Sequence, residues 1–303
     1  MIWKKSSFVF IIAMICCSLW ASAAPFIKKG YALFSIASSD TASILVFAGI
    51  RFLLAGIFVL LFDQLFNQKT ERKPITLPHI AILACFQTAG QYFLYYVGLA
   101  HTSGVSGSII CGMGSFFALL LACYLFKSEE MTMHKLCGVL FGFLGIVWLN
   151  LGGSIGGTFF GNILVIASQI SSALSTCFIN RFTKAEDPVR LSGCQFCMGG
   201  LVLILLGLLT GGNLPRGELS AYFILIHLAL VSAIAYTLWS LLLSYNPVSR
   251  IGIFNTTIPI LGVFLSAFIL GEYQQAFTLK TWIALFFVSL GIIILTKTKS
   301  VKD

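Results

Sequence analysis

A single arginine interrupts a long apolar run near the start of this 303-residue chain. Arg51 lies at the centre of the predicted second helix, where a charge costs about 2.5–3.5 kcal/mol on membrane-insertion scales. Such a guanidinium must face protein or water and find a partner. It can anchor a solute carboxylate or phosphate through two parallel hydrogen bonds, or it can bond carbonyls and polar side chains of neighbouring helices. Both interpretations are open at this point.

Amides also occur inside the apolar runs. Gln87 and Gln91 are four residues apart, a spacing that places them on one face of a helix. Each buried amide can bond another helix as well as a solute, so these side chains are candidates for either role. The further amides of this kind are Gln169, Gln195 and Asn255.

Aromatic residues follow the amides and recur at a fixed distance along the chain. Tyr92 and Tyr95 stand opposite Tyr236 and Trp239, which lie about 144 residues later. Aromatic rings at a membrane boundary usually form an interfacial belt, but these lie at mid-helix or just beyond. Pocket lining and belt or core packing are therefore both reasonable interpretations.

Other reactive residue types are placed unfavourably for chemistry. None of the ten acidic residues lies near the middle of a predicted helix, which argues against carboxylate-based proton coupling. The nine cysteines all lie in apolar runs, where Cys behaves as a small hydrophobe. Cys194-x-x-Cys197 has redox or zinc spacing without a second pair nearby, and His227 is predicted to make a helix contact. We predict no metal, no cofactor and no enzymatic activity.

The composition indicates a membrane protein. The chain is 58% apolar and only 10% charged, whereas soluble proteins carry about 25% charged residues. The net charge of +9 comes from basic residues at the ends of apolar runs, so nucleic acid is not an expected partner. Ten helices of about 20 residues, each able to cross a hydrocarbon core of about 30 Å, are predicted at 6–27, 42–62, 79–100, 104–126, 134–151, 159–181, 190–210, 220–244, 250–270 and 280–297.

The ten helices divide into two repeats of five, predicted at 1–152 and 153–303. Ala21-Ser-Ala23 resembles a signal-peptide cleavage site, but the repeat needs the first helix and we retain it. Basic residues concentrate on one side, which predicts cytoplasmic termini; only Lys28, Lys29, Arg216 and Lys280 fall on the other side. Because five is an odd number, the two halves are predicted to insert in opposite orientations, as in many secondary transporters.

The order and spacing of several short motifs resemble the EamA family of the drug/metabolite transporter superfamily. They are Leu19–Ser22, Arg51–Ala55, Ala235–Trp239, the pair Pro259 and Glu272, and Gly291. The resemblance implies a central cavity formed by helices 1–4 and 6–9, with Trp20 lining it. It also implies an Arg-Phe pair irrespective of substrate, which favours a structural role for Arg51, and helix ends closed by Glu129 and Glu272.

These observations together predict an all-α membrane protein of ten transmembrane helices in two inverted five-helix repeats. The resemblance implies that it moves a small organic solute, an amino acid or related metabolite, by alternating access. The predicted partners are the solute and the lipid bilayer of the inner membrane, and the chain is a monomer or homodimer. A carrier of a nucleotide-like or cofactor-like metabolite such as S-adenosylmethionine is an alternative, because Arg51 would then bind phosphate. Two further alternatives are a membrane enzyme acting on lipids and a scaffold that transports nothing. An enzyme would need convergent acid, base or metal groups, which we do not find in the sequence.

Overall fold

The computed structural model describes residues 2–66, 73–127, 130–151, 157–213, 216–245 and 253–296. This part of the chain forms helices and no strand, in agreement with the all-α prediction. Seven helices are long and apolar enough to cross a membrane, and three shorter apolar helices are also present. Outside the described residues lie Glu129 and several basic residues used in the topology prediction: Lys69, Arg72, Arg250, Lys297, Lys299 and Lys302.

The first half contains α1 to α7. Their bounds are α1 (Ser6–Leu33), α2 (Thr41–Phe66), α3 (Leu77–Leu83), α4 (Gln91–Ala100), α5 (Gly104–Cys111), α6 (Gly114–Tyr124) and α7 (Met133–Asn150). A π-helical turn, Ala84–Gly90, joins α3 to α4. The predicted end of the first helix at residue 27 is wrong, because α1 continues through Lys28 and Lys29.

The second half contains α8 to α13. Their bounds are α8 (Phe159–Phe182), α9 (Pro188–Leu209), α10 (Leu219–Tyr245), α11 (Thr257–Leu270), α12 (Tyr273–Ala276) and α13 (Leu279–Thr296). A 3₁₀ turn, Ile253–Thr256, precedes α11. Local sequence explains where α9 begins: the Asp187 carboxylate accepts hydrogen bonds from the backbone N–H groups of Val189 and Arg190, as expected of a helix N-cap.

The fourth predicted helix is interrupted, and the described part of the ninth begins with a 3₁₀ turn. At Gly112 and Met113 the backbone N–H groups bond carbonyls three residues back, and this turn separates α5 from α6. The corresponding place 144 residues later is the junction of the 3₁₀ turn and α11. An interruption at this place therefore does not require a proline such as Pro259. A 3₁₀ segment inside a helix often marks a hinge.

Helix packing follows the sequence repeat. The pairs α2–α9 and α7–α13 join corresponding helices of the two halves, and α5–α11 joins parts of the fourth and ninth predicted helices, which also correspond. Contacts between non-corresponding helices come in matched sets: α1–α10 corresponds to α8–α4, and α1–α11 corresponds to α8–α6. Exchanging the two halves thus reproduces the packing pattern.

Glycines bring α2 and α9 into backbone contact at the centre of this arrangement. A Cβ atom on Gly49 would lie 2.7 Å from the Gly200 carbonyl oxygen, and one on Gly56 would lie 2.7 Å from the Gly193 carbonyl oxygen. Any side chain at these four positions would push the helices apart. The glycine contacts enclose the stretch of α2 that carries Arg51.

Charged side chains stabilise helix ends outside this centre. The Glu272 carboxylate accepts from the backbone N–H groups of Gly104 and Val105, 3.0 and 2.9 Å away, and so caps α5. The Lys28 ammonium donates to the Thr102 carbonyl at 2.7 Å, just beyond the C-terminus of α4. Both placements match the helix dipole. Glu272 therefore has the structural role expected of it.

Candidate functional site

Arg51 is buried where three helices meet. Its Nε donates to the Leu228 carbonyl at 3.0 Å, its Nη1 to the Tyr96 hydroxyl at 2.6 Å, and its Nη2 to the Ser232 hydroxyl at 3.0 Å. The side chain is 2% exposed. We call Arg51, Tyr96, Leu228 and Ser232 the Arg51 cluster; it joins α2 and α4 of the first half to α10 of the second.

Aromatic rings surround the guanidinium. The Arg51 Cζ lies 4.9 Å from the ring centroid of Phe52, 5.9 Å from that of Tyr92 and 5.8 Å from that of Tyr96. A cation within about 6 Å of a ring centroid is attracted to the ring face if it lies above it. These contacts, together with the three hydrogen bonds, support the structural interpretation of Arg51.

The second half contains a neutral counterpart of this cluster. Gln195 lies 144 residues after Arg51, and its Oε1 accepts a 2.5 Å hydrogen bond from Thr88, which lies 144 residues before Ser232. We call Gln195 and Thr88 the Gln195 cluster. Both side chains are completely buried, and the Gln195 Nε2 has no partner.

The repeated aromatic residues meet between the halves. The hydroxyl oxygens of Tyr92 and Tyr236 are 3.1 Å apart. The rings of Phe52 and Tyr92 lie 4.0 Å apart, and those of Phe196 and Tyr236 lie 5.1 Å apart, as centroid distances. Tyr92 and Tyr236, which are equivalent in the repeat, thus contact each other directly.

Trp20 extends this group of rings through α1. Its ring centroid is 5.5 Å from that of Tyr236 and 5.0 Å from that of Trp239. The Trp20 Nε1 donor is buried without a partner. Trp239 also packs against a small apolar cluster that contains Val9 and Leu242, so a core role for Trp239 has direct structural support.

Gln87 and Gln91 lie at the π turn. Gln87 is inside it and Gln91 begins α4. The α-helical spacing that we expected between these two residues therefore does not hold. The Oε1 atom of each is buried without a hydrogen-bond partner. A buried polar atom left unpaired is costly, and π turns inside α-helices frequently occur at functional sites.

The remaining predicted residues lie in two places. Gln169 donates to the Ser168 hydroxyl at 3.0 Å and approaches the Cys111 sulfur at 3.8 Å, and the Tyr95 hydroxyl also contacts Cys111. Asn255 lies half-buried in the 3₁₀ turn before α11 rather than inside a regular helix. The rings of Tyr92 and Tyr95 also lie 6.4 Å apart as a centroid distance. The structure thus brings one set of predicted residues into a connected group: Trp20, Arg51, Tyr92, Tyr95, Tyr236 and Trp239.

Sequence reasoning did not assign Phe52, Phe196, Thr88 and Ser232 to this region. The signal was available, because the 144-residue offset relates Phe52 to Phe196 and Thr88 to Ser232. The π turn had no comparable signal, since nothing in the residues 84–90 distinguishes it from an ordinary apolar helix.

Known proteins resemble this chain over most of its length. Uncharacterized transporter YyaM of Bacillus subtilis is 25% identical, with 71% of this chain and 73% of that protein covered. An uncharacterized transporter of Archaeoglobus fulgidus is 24% identical over 91% and 92% of the two chains. The uncharacterized inner membrane transporter YedA of Escherichia coli is 27% identical over 63% and 61%.

A solved crystal structure has the same fold. It covers 96% of each chain with a TM-score of 0.66 at 16% sequence identity. The sequence profile of the EamA-like transporter family matches twice, over residues 7–151 and again over 159–297. This multi-pass membrane protein belongs to the EamA-like transporter family.

Proposed function

We propose that the protein is a secondary transporter that moves a small organic solute, an amino acid or a related metabolite, by alternating access. The observation that carries the proposal is the contact between Tyr92 and Tyr236, equivalent residues of the two halves, at the junction of those halves. Secondary transporters built from inverted repeats place their substrate near the midplane at such a junction.

The site proposed for the solute is the aromatic and amide group around this contact. Aromatic walls with a few polar groups are typical of small-molecule sites. Because the Tyr92 and Tyr236 hydroxyls touch each other, a solute held between them would have to separate the two tyrosines. The proposed site comprises Trp20, Arg51, Gln87, Gln91, Tyr92, Tyr95, Gln169, Tyr236, Trp239 and Asn255.

The halves are proposed to insert in opposite orientations with both termini cytoplasmic. Protease accessibility of tags at the two termini in oriented vesicles tests this topology.

Transport is proposed to proceed without a proton gradient, because no described acidic residue lies at the centre of a helix. Strict dependence on an imposed pH difference would contradict that second point.

The test of function is counterflow of labelled amino acids into proteoliposomes. Wild-type protein should accelerate exchange of at least one solute over protein-free liposomes. Trp239→Ala should weaken apparent affinity roughly three- to tenfold, because aromatic contacts contribute on the order of 0.5–1.5 kcal/mol each.

Folded yield must be measured in the same variant. Tyr95→Ala, which changes the equivalent position of the first half, is the matched comparison. Unchanged affinity with a halved yield of Trp239→Ala would remove Trp239 from the site and leave it a core residue.

The alternative of a nucleotide-like solute receives less support. It requires Arg51 to bind phosphate directly, yet three of the five guanidinium N–H groups already donate to protein acceptors. The side chain is also 2% exposed, so a phosphate would have to enter the buried cluster to reach the other two. We therefore retain the amino acid or related metabolite as the proposed solute.

A further inference from the structure

The short helix α3 of the first half is fastened to the turn between α8 and α9 of the second half. In that turn the Glu186 Oε1 accepts a hydrogen bond from the Thr76 hydroxyl and lies 2.7 Å from the His79 Nδ1. The His79 ring also stacks on the ring of Phe182, with centroids 3.7 Å apart. We call Thr76, His79 and Glu186 the Glu186 latch.

Glu186 enters this latch as a buried carboxylate. It is 3% exposed, and its Oε2 has no hydrogen-bond partner among the described residues. Burial acts to raise the pKa of Glu186, but the hydrogen bonds from Thr76 and His79 outweigh it and lower that pKa, so the side chain is ionised at neutral pH. A buried anionic oxygen without a partner costs free energy. Opening the latch would return that oxygen to water, which makes the contact releasable.

The apolar residues beside the latch form a cluster of their own. Ile80 and Leu83 of α3 pack with Phe182 of α8 and Leu191 of α9, apart from the large core cluster of the molecule. Beyond the π turn, α3 packs mainly against α8 and α9. It can therefore move away from the second half without opening the large core.

The π turn gives α3 a place to bend. Sharp changes of helix direction concentrate at such turns. The turn itself is held by the second half, because the Ser171 hydroxyl of α8 donates to the Phe86 carbonyl at 2.6 Å and the Thr88 hydroxyl donates to Gln195 of α9. Thus α3 lies between an anchored π turn and the Glu186 latch.

The equivalent region of the second half is built differently. There α10 runs unbroken across the positions equivalent to the π turn, and Leu225 near its start belongs to the large core cluster. Phe34, at the end of α1, corresponds to Phe182 and packs on Tyr222 with ring centroids 5.4 Å apart, where the first half has His79. The aromatic contact is common to both sides of the molecule, whereas the π turn and the separate apolar cluster belong to α3.

We propose that α3 is a gate on the side of the molecule where α8 ends, which opens about the π turn and is held closed by the Glu186 latch. This role rests on the proposed function, because a gate admits or releases a solute, and it adds which element moves. In the topology proposed above, this side faces the cytoplasm.

Hydrogen–deuterium exchange of the protein in lipid nanodiscs, measured by mass spectrometry, tests the movement. Residues 80–83 of α3 and 224–227 of α10 are equivalent under the 144-residue offset. The exchange rate of a protected amide follows the opening equilibrium of its segment. We therefore expect the amides of 80–83 to exchange at least roughly tenfold faster than those of 224–227.

Variants assign the closure of α3 to the latch. Glu186→Ala removes the shared acceptor and should accelerate exchange in α3 by roughly tenfold, with the equivalent segment of α10 unchanged. His79→Phe keeps an aromatic ring and removes one polar contact, so its acceleration should be smaller, roughly threefold. Lys184→Ala changes an exposed residue of the same turn, leaves the latch intact and should alter neither segment.

A reversible crosslink tests whether this opening is needed for transport. Thr76→Cys and Glu186→Cys together place two thiols at the latch, and a short bis-maleimide linker that contains a disulfide joins them. Counterflow should fall at least roughly tenfold in the crosslinked protein, since closure of a gate limits turnover, and it should return when dithiothreitol cleaves the linker. The native cysteines are all free, so the reductant breaks no bond of the protein itself. Each single-cysteine variant treated in the same way is the control.

The outcomes are distinguishable. Equal exchange of the two segments in the wild-type protein overturns the gate. Unchanged exchange of α3 in Glu186→Ala, or an acceleration that extends equally to α10, also overturns it; if that variant does not fold, His79→Phe decides in its place. Undiminished counterflow through the crosslinked protein removes the gate and leaves the transport proposal standing. If the wild-type protein shows no counterflow, the transport proposal fails and the gate fails with it.

Discussion

The Arg51 cluster and the Gln195 cluster occupy equivalent places in the two halves but differ in charge and in completeness. Arg51 reaches three acceptors across two other helices, whereas Gln195, among the described residues, bonds Thr88 alone and leaves its Nε2 unpartnered. Glycines flank both residues and bring α2 and α9 into contact. Duplication thus gave one helix crossing, and divergence made one half of it charged and the other neutral.

The difference shows that one contact is common to both clusters and that others are not. A hydroxyl bonds an amide in the Gln195 cluster and a guanidinium in the Arg51 cluster, so the helix packing accommodates either group. The bond from Arg51 to Tyr96 is an additional contact, because among the described residues the Gln195 Nε2 has no partner. Predictions about stability should therefore separate the shared contact from the added one.

Tyr96→Phe should have the largest effect. It removes the acceptor for Arg51 Nη1 and leaves a buried charged donor unpaired. Hydrogen bonds between membrane helices average about 0.6 kcal/mol with a maximum near 1.7, and bonds to charged groups are stronger than neutral ones. We expect a loss of about 1.5 kcal/mol in the free energy of unfolding, measured by denaturant titration in detergent micelles.

Tyr95→Phe is the matched control for that variant. Its hydroxyl contacts Cys111, whereas the described hydrogen bonds of the guanidinium go to Leu228, Tyr96 and Ser232, so the loss for Tyr95→Phe should be clearly smaller. Equal losses for the two variants would mean that the hydrogen bond from Arg51 to the Tyr96 hydroxyl adds nothing to the free energy of unfolding.

The hydroxyls that join the clusters should differ next. Thr88→Val leaves the Gln195 amide without any partner, because Thr88 is its one hydrogen-bonding neighbour. Ser232→Ala leaves Arg51 with two acceptors. We expect losses of about 1 and about 0.5 kcal/mol respectively, measured in the same titration. The reverse order would show that the neutral cluster is less dependent on its single bond than its geometry indicates.

The sequence predicted the elements better than their irregularities. Apolar runs of about 20 residues located the helices because the bilayer requires that length. The end of α1 was predicted too early because Lys28 and Lys29 were taken to lie outside the helix. Long charged side chains can extend toward polar groups from inside a helix. The interruption at Gly112 and Met113 was not predicted, because its 3₁₀ geometry depends on packing that no local pattern records.

The candidate site was predicted only in part for a similar reason. The 144-residue offset identified Tyr92 and Tyr236 as equivalents, and they meet in the structure. It did not show that Arg51 would be held by Tyr96, Leu228 and Ser232, because partner choice depends on which helix faces cross. The binding role of these residues remains a prediction.

The smallest effect is expected where the two halves touch. Tyr92 and Tyr236 share one hydrogen bond, in which either hydroxyl can donate. Tyr92→Phe and Tyr236→Phe should each cost about 0.5 kcal/mol, and the double variant should cost no more than either single one, because the same bond is lost only once. A double-mutant cycle on the free energy of unfolding measures this coupling. The ring of Tyr92 lies near the Arg51 guanidinium whereas Tyr236 has no such neighbour described, and the phenyl ring of the variant keeps that contact. The two single losses in the free energy of unfolding should therefore be equal. A larger loss for Tyr92→Phe would show that the charge of the Arg51 cluster acts on the Tyr92 hydroxyl itself. Additive losses in the double variant would show that the two hydroxyls have separate partners.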